Sequence, residues 1–204
     1  MKDLSGGFAD YSKAIFINPK YSLAYYNRGE LKVRSKDYNG AVADYTEAIN
    51  INPQFSDAYN NRGCARGQLN DLSGAVADIT KTIAFSPSNY TAYYNRAVTE
   101  VAMNENRVAL ADYAKAIALN SEYTDAYLHR GVLLITIKEY NSAISDFTKV
   151  IMINPKYAFA YYDRAKAKVQ LHDNSGACLD FNKANDLGLA VAPSYLTKYC
   201  NGSK

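Results

Sequence analysis

The chain repeats itself every 34 residues. Arginine recurs at this interval at Arg28, Arg62, Arg96, Arg130 and Arg164. Tyrosine recurs in the same register at Tyr25, Tyr59, Tyr93, Tyr127, Tyr161 and Tyr195. Aspartate does so at Asp10, Asp44, Asp78, Asp112, Asp146 and Asp180. A self-similarity held to the end of the chain is typical of a solenoid, in which supersecondary units stack and each contacts only its neighbours.

Each repeat predicts two helices. In the first repeat, apolar and small residues recur at helical spacing in two stripes. The polar pair Lys36-Asp37 separates the stripes, and Asn52-Pro53 ends the second one. The helical hairpins are predicted over 22–55, 56–89, 90–123, 124–157 and 158–191, with a second helix alone over 3–21 and a capping helix and tail over 192–204.

The order of large and small residues resembles the tetratricopeptide repeat. The pattern is an aromatic residue, a small residue, alanine, an aromatic residue, alanine and proline, and the five full copies agree in length and register. Proline recurs at Pro19, Pro53, Pro87 and Pro155, and Ser121 departs from the pattern. The chain resembles a subtype with Asn-Arg-Gly in the first helix, as at 27–29, and Asp-Tyr in the second, as at 44–45. The resemblance implies an all-α, right-handed superhelical solenoid whose first helices line a concave groove. It also implies a non-catalytic scaffold that binds a protein or peptide.

Arginine stands seven residues into each repeat, where most members of this family carry Leu or Ile. An aspartate follows sixteen residues later, on the second helix. A buried guanidinium needs a carboxylate, and its planar fork suits one. We therefore predict a ladder of ion pairs, in which Arg28 meets Asp44 of its own repeat or Asp10 of the one before. The alternative interpretation is a row that binds anions.

The fifth and sixth positions of each repeat predict the groove. The candidate peptide-binding residues are Tyr26, Asn27, Asn60, Asn61, Tyr94, Asn95, Leu128, His129, Val132 and Tyr162. Asn27, Asn61 and Asn95 resemble the ladder that lines the groove of some peptide-binding members of the family, and we expect their amides to be free to bracket the amide groups of an extended chain. Alternatively, each asparagine bonds to a neighbouring helix. A second candidate surface is an apolar patch, with deeper burial as its alternative. It is formed by Val132, Leu133, Leu134, Ile135 and Ile137 of the fourth repeat together with Val98, Val101 and Leu128.

An acidic C-terminal tail of the kind that chaperone-binding members grip does not fit this groove. The matching positions hold Tyr26, Glu30, Asn61, Thr91 and Asn95, so the clamp's cationic residues are missing. Glu30 would repel a carboxylate.

Little in the chain suggests chemistry. Two histidines and three cysteines show no spacing typical of a triad, a metal site or a disulfide framework. We expect no enzyme activity, no metal and no cofactor, and a reducing cytoplasm is favoured. A net charge of +3 is too weak to indicate nucleic acid, and no apolar run is long enough for a membrane span or a signal peptide.

The first helix suggests a second function. Phe8, Tyr11 and Ile15 would form an uncovered apolar face within residues 4–17. Such a face favours self-association as a structural module, and a regulatory fragment of a larger protein is a further alternative.

Overall fold

The computed structural model describes residues 4–190 and 193–200, and these residues form twelve α-helices and no strand. The predicted all-α fold is therefore confirmed. Residue 3 of the predicted half repeat, residue 191 of the last predicted hairpin, and residues 192 and 201–204 of the predicted cap and tail lie outside the described residues. The helices are α1 (Leu4–Ile17), α2 (Ser22–Arg34), α3 (Tyr38–Ile51), α4 (Ser56–Gln68), α5 (Leu72–Phe85), α6 (Tyr90–Ala102), α7 (Asn106–Leu119), α8 (Thr124–Thr136), α9 (Tyr140–Ile153), α10 (Ala158–Gln170), α11 (Asn174–Asp186) and α12 (Pro193–Cys200).

The helices form two compact parts. The first ends at Leu119 and holds α1 to α7, and the second begins at Asn120 and holds α8 to α12. Within each part every helix packs on the helix that follows it in the chain. This nearest-neighbour packing is the arrangement that the 34-residue period predicts.

A single left-handed residue joins the two helices of each hairpin. Its φ lies between 59° and 68° in all five repeats, a conformation that few residues other than glycine adopt readily. The residues are Lys36, Asn70, Asn104, Lys138 and His172. His172 therefore has a position in a turn, like the lysines and asparagines of the other repeats.

Small residues on the first helices allow the second helices to approach closely. A Cβ atom on Gly29 would lie 2.7 Å from Tyr45 Cε1, and one on Gly131 would lie 2.8 Å from Phe147 Cε1. Both rings are fully buried. The predicted alternation of small and large residues thus forms the core of each hairpin.

The apolar face of α1 is only partly open. Phe8, Tyr11 and Ile15 are half-buried, and α1 packs against α2. Among the described large apolar side chains of α1, Phe16 and Ile17 are instead strongly exposed, at 86% and 71%. The strongly exposed apolar side chains of α1 therefore lie at its C-terminal end.

Candidate functional site

The first helices of neighbouring repeats lie side by side. In the first compact part α4 contacts both α2 and α6, and in the second part α8 contacts α10. All the predicted groove residues lie on these helices. We call the surface of α2, α4 and α6 the first groove face, and the surface of α8 and α10 the second groove face.

Five side chains on the first groove face form a continuous hydrogen-bonded series. Asn95 Nδ2 donates to Asn60 Oδ1 at 3.1 Å, and Asn60 Nδ2 donates to Asn61 Oδ1 at 3.2 Å. Asn61 Nδ2 donates to the Tyr26 hydroxyl at 3.0 Å, and that hydroxyl donates to Glu30 Oε1 at 3.4 Å. Because the series joins α6, α4 and α2, it links three consecutive repeats.

The prediction that the asparagine amides are free is therefore wrong for Asn61 and Asn95. Adjacent first helices approach so closely that the amide of Asn61 or Asn95 reaches the first helix of the preceding repeat. The alternative interpretation, bonding to a neighbouring helix, describes these two residues. Asn27 is half-buried on α2.

The tyrosine rings of this face pack against second helices and against the turns that follow those helices. Tyr26 lies 4.9 Å from Phe55 and 5.7 Å from Tyr45, measured between ring centroids. Tyr94 lies 6.0 Å from Tyr113 in the same way. Burial, followed by the charge of Glu30, raises the pKa of Tyr26 to about 12, so the phenol stays protonated near neutral pH.

A pocket of about 430 Å³ opens between α2 and α4. Its size falls within the range of pockets that hold small ligands or ligand side chains. It is lined by Glu30, Val33, Arg34, Tyr38, Tyr45, Asn61, Cys64, Ala65 and Gln68. Of these, only Asn61 was among the predicted groove residues. Four of the others could have been found by continuing each helical face by three and seven residues, from Asn27 to Glu30 and Arg34 and from Asn61 to Cys64 and Gln68.

Cys64 lies at this pocket as an exposed free cysteine. The protein around it raises the pKa of the thiol to about 11 through desolvation. The sulfur is therefore a neutral thiol near pH 7 and is not an activated nucleophile.

The arginine ladder has a fixed geometry in which each arginine lies against the aspartate of its own repeat. Arg62 donates from Nε and Nη2 to the two oxygens of Asp78, at 2.8 Å and 2.6 Å. The same two-point contact joins the other pairs, Arg28 and Asp44, Arg96 and Asp112, Arg130 and Asp146, and Arg164 and Asp180. Of the two partners that the sequence left open, the structure has the one in the same repeat.

Further contacts occupy the rest of the guanidinium. Arg62 Nη1 donates to Thr46 Oγ1, on the second helix of the preceding repeat, at 3.1 Å. The guanidinium also lies over the Tyr59 ring, 5.4 Å from its centroid, and every arginine of the ladder has the tyrosine three residues earlier beneath it. The tyrosines of the five full repeats thus pack against the guanidinium groups of the arginine ladder. The N–H donors of an arginine such as Arg62 are bound to partners within the fold. Its guanidinium therefore has no free pair of N–H groups with which to bind a ligand anion.

In three repeats a second basic side chain also contacts the aspartate that binds the ladder arginine. Lys32, Arg66 and Lys168 lie 2.7–2.8 Å from Asp44, Asp78 and Asp180. In these repeats the second helix starts with an aspartate whose carboxylate accepts a hydrogen bond from a glycine N–H three residues later, as Asp71 does from Gly74 at 3.0 Å. A Cβ on Gly74 would lie 2.2 Å from Asp71 Oδ2, so glycine and the aspartate cap occur together.

The third and fourth repeats lack the second cation, the capping aspartate and the glycine. Glu105 and Glu139 replace the capping aspartate, and Val108 and Ser142 replace the glycine. The second cation is replaced by Glu100 in one repeat and Leu134 in the other. Three positions therefore change together along the chain.

The second groove face holds the remaining predicted residues. Leu128 and Tyr162 are half-buried, whereas His129 and Val132 are exposed. Tyr162 lies 5.7 Å from Phe181 between ring centroids. Leu133 and Leu134, which contribute to the apolar character of this repeat, are buried.

A disulfide joins Cys178 on α11 to Cys200 at the end of α12. The expectation that the cysteines form no disulfide is therefore wrong for this pair. Their separation of 22 residues follows no repeat spacing, so only the fold brings them together. The pairing also removes the cysteine argument for a reducing compartment, because disulfides persist mainly in oxidising ones.

A second pocket, of about 340 Å³, lies beside α12. It is lined by Ile135, Tyr140, Lys166, Val169, Gln170, Tyr195 and Tyr199. The two tyrosines that α12 contributes depend on the disulfide-linked helix for their position.

No helix among the described residues is long and apolar enough to cross a membrane. The same residues contain no cluster of three or more His, Cys, Asp or Glu side chains that could hold a metal ion.

The described residues form successive helical hairpins, and the first helices carry a polar face. This arrangement is typical of helical-repeat scaffolds, and the comparison with protein-family models indicates the same class of protein. Residues 32–70 match a family model described as TPR repeat, and residues 94–169 match one described as Tetratricopeptide repeat. Together the two matches span more than half of the chain. The chain contains tetratricopeptide repeats and belongs to that repeat family.

Several solved structures share this fold. The crystal structure of MamA protein is 24% identical, with a TM-score of 0.74, and the match covers 81% of this chain and 91% of that one. YrrB, described as a TPR protein with an unusual peptide-binding site, is 22% identical with a TM-score of 0.74 over 92% of this chain and 96% of its own. MamA from Desulfovibrio magneticus RS-1 is 18% identical with a TM-score of 0.75 over 81% and 94%. No curated protein sequence matched the chain.

Proposed function

We propose that this protein is a non-catalytic scaffold that binds an extended peptide segment of a partner protein on the first groove face. The observation that carries the proposal is the pocket of about 430 Å³ between α2 and α4, which adjoins the hydrogen-bonded asparagine series. Such a pocket takes one side chain of a peptide, while the polar groups of the series face its backbone. The peptide-binding site in the description of YrrB supports the same use of this fold.

The residues of the groove have two roles in this proposal. Asn60, Asn61 and Asn95 hold the first helices together, and each retains further hydrogen-bonding capacity for a ligand. The pocket supplies shape and apolar contact. We assign the chain to the subtype with Asn-Arg-Gly and Asp-Tyr because these residues build both the groove wall and the ion pairs behind it.

Selection of random peptides displayed on phage, with the full chain as the target, tests the proposal. Cys64 is exposed, so Cys64→Trp would fill the pocket with little effect on the fold. We expect the selected peptides to lose at least about tenfold in affinity for this variant, which is about 1.4 kcal/mol. Ala77→Trp, on the exposed side of α5, is the matched control and should bind like the parent. Equal binding to the parent and to Cys64→Trp would contradict a site in the pocket.

Self-association through α1 is the second candidate function. Phe16 and Ile17 favour it, because two adjacent large apolar side chains are 86% and 71% exposed. Here α1 would pack against a second copy of this chain. Sedimentation of the parent over a wide concentration range should then show a mass that increases with concentration, and Phe16→Ser should remove the increase. A constant monomer mass would exclude this function.

A further inference from the structure

The pocket between α2 and α4 contains a carboxylate without a counter-ion. Glu30 is half-buried on the pocket wall, and within the described part of the chain it takes part in no ion pair. Its hydrogen bond from the Tyr26 hydroxyl reaches Oε1 at 3.4 Å. A long bond from a neutral phenol leaves most of the negative charge uncompensated.

The charges around Glu30 do not neutralise it. Arg34 follows Glu30 by one helical turn, a spacing at which Glu and Arg often pair, yet the two are not within ion-pair distance. Arg34 is exposed at the end of α2. Asp57, exposed on α4, raises the pKa of the Tyr26 phenol as Glu30 does, so among the described residues no positive charge near this phenol offsets the carboxylate of Glu30.

The equivalent position of the fifth repeat provides a comparison within the chain. Lys166 stands there, and it lines the other pocket. Lys166 has its own counter-ion, since its Nζ lies 3.2 Å from Asp163 Oδ1, and it also lies 5.5 Å from the centroid of the Tyr162 ring. The charged side chain at this position is therefore neutralised in the fifth repeat but not in the first.

We propose that the pocket between α2 and α4 receives a lysine or arginine side chain of the bound peptide, with Glu30 as its counter-ion. This inference rests on the proposed function. Tyr38 and Tyr45 line the same pocket, and aromatic rings stabilise a neighbouring cation. An acidic side chain would be repelled by Glu30, and an apolar one would desolvate its carboxylate without a partner.

Peptide selection on two charge variants tests the inference. Glu30→Gln removes the negative charge and keeps the shape of the side chain, and Arg34→Gln is the matched control on the same pocket. Peptides selected on the parent and on Arg34→Gln should share a Lys or Arg at one position, and peptides selected on Glu30→Gln should lack it. The absence of a basic preference on the parent would overturn the inference.

A cycle of affinities then localises the contact. A selected peptide is resynthesised with norleucine in place of its shared basic residue. This change should weaken binding to the parent by at least about tenfold and weaken binding to Glu30→Gln much less, because a charged hydrogen bond is lost only in the first case. An equal loss on both proteins would overturn the pairing with Glu30.

The Cys64→Trp variant separates this inference from the proposed function. If Cys64→Trp abolishes binding and Glu30→Gln does not alter it, the groove proposal stands and the charge inference fails. If neither variant alters binding, both fail. Circular dichroism and urea unfolding of each variant confirm that it is folded before its affinity is used.

Discussion

Glu100 Oε1 lies 3.8 Å from Arg96 Nε, on a guanidinium that already contacts both oxygens of Asp112. The other Glu100 oxygen, Oε2, is buried and has no hydrogen-bond partner. Two carboxylates therefore share one arginine at the place where other repeats have a second cation. Burial and the neighbouring Asp112 raise the pKa of Glu100 from 4.5 to about 7.

The first prediction is that Glu100 makes stability depend on pH. Because its pKa is higher in the folded than in the unfolded chain, the folded state binds more protons between pH 4.5 and about 7. Stability should therefore fall as pH rises through this window, by on the order of 3 kcal/mol, and level off above it. Urea unfolding at a series of pH values measures this. Glu100→Gln should flatten the curve, whereas Glu47→Gln, at an exposed site on α3, should leave it unchanged.

The second prediction concerns the additional lysine or arginine that contacts the ladder aspartate in three of the repeats. Arg130→Met leaves Asp146 without a counter-ion, because Leu134 occupies the position of the second cation. We expect a loss of about 3 kcal/mol in the stability of the α8–α9 hairpin. Arg164→Met should cost clearly less, since Lys168 still lies 2.7 Å from Asp180. Hydrogen exchange resolves the two hairpins separately, and equal losses would contradict the role of the second cation.

The third prediction is a coupling between Asp71 and Gly74. Asp71→Ala removes the N-cap of α5 and should cost about 1 kcal/mol. In a Gly74→Ala background the same change should cost almost nothing, because the new Cβ has already displaced the carboxylate from its capping position. Urea unfolding of the four proteins in the cycle measures the coupling. Additive effects would show that the cap tolerates a side chain at position 74.

The fourth prediction concerns the disulfide. Cys200→Ser should release α12 and lower stability by about 3 kcal/mol, since the bridge closes a loop between residues 178 and 200. Exchange of the α12 amides should rise with it. Cys64→Ser is the control and should change neither quantity. Thiol titration of the unfolded, unreduced parent should find one free cysteine, and three would contradict the bridge.

The period and register of the chain predicted the fold well. Helical spacing and the breaks at Lys36 and Pro53 identified the hairpins, and the Arg and Asp ladders indicated ion pairs. The sequence could not decide which Asp each Arg meets, because both choices satisfy the same charge rule. Only the distance between helices decides this.

The candidate site was harder to predict because it depends on contacts between repeats. The periodic alignment correctly placed Asn61 on a first helix, but not within 3.0 Å of the Tyr26 hydroxyl. The sequence pattern indicates only that Glu30 repels an acidic tail and gives no role to Cys64, so it does not predict the pocket that these residues line. The disulfide was not predicted because the 34-residue pattern does not repeat a cysteine at the positions of Cys178 and Cys200.

The linked changes at the cap of the second helix limit how these repeats can be recombined. A design that averaged the five repeats column by column could place an aspartate at position 71 beside a valine or serine at position 74. Such a hybrid would combine residues that no natural repeat of this chain combines. Residues 66, 71 and 74 should therefore be exchanged as one cassette when repeats are shuffled or extended.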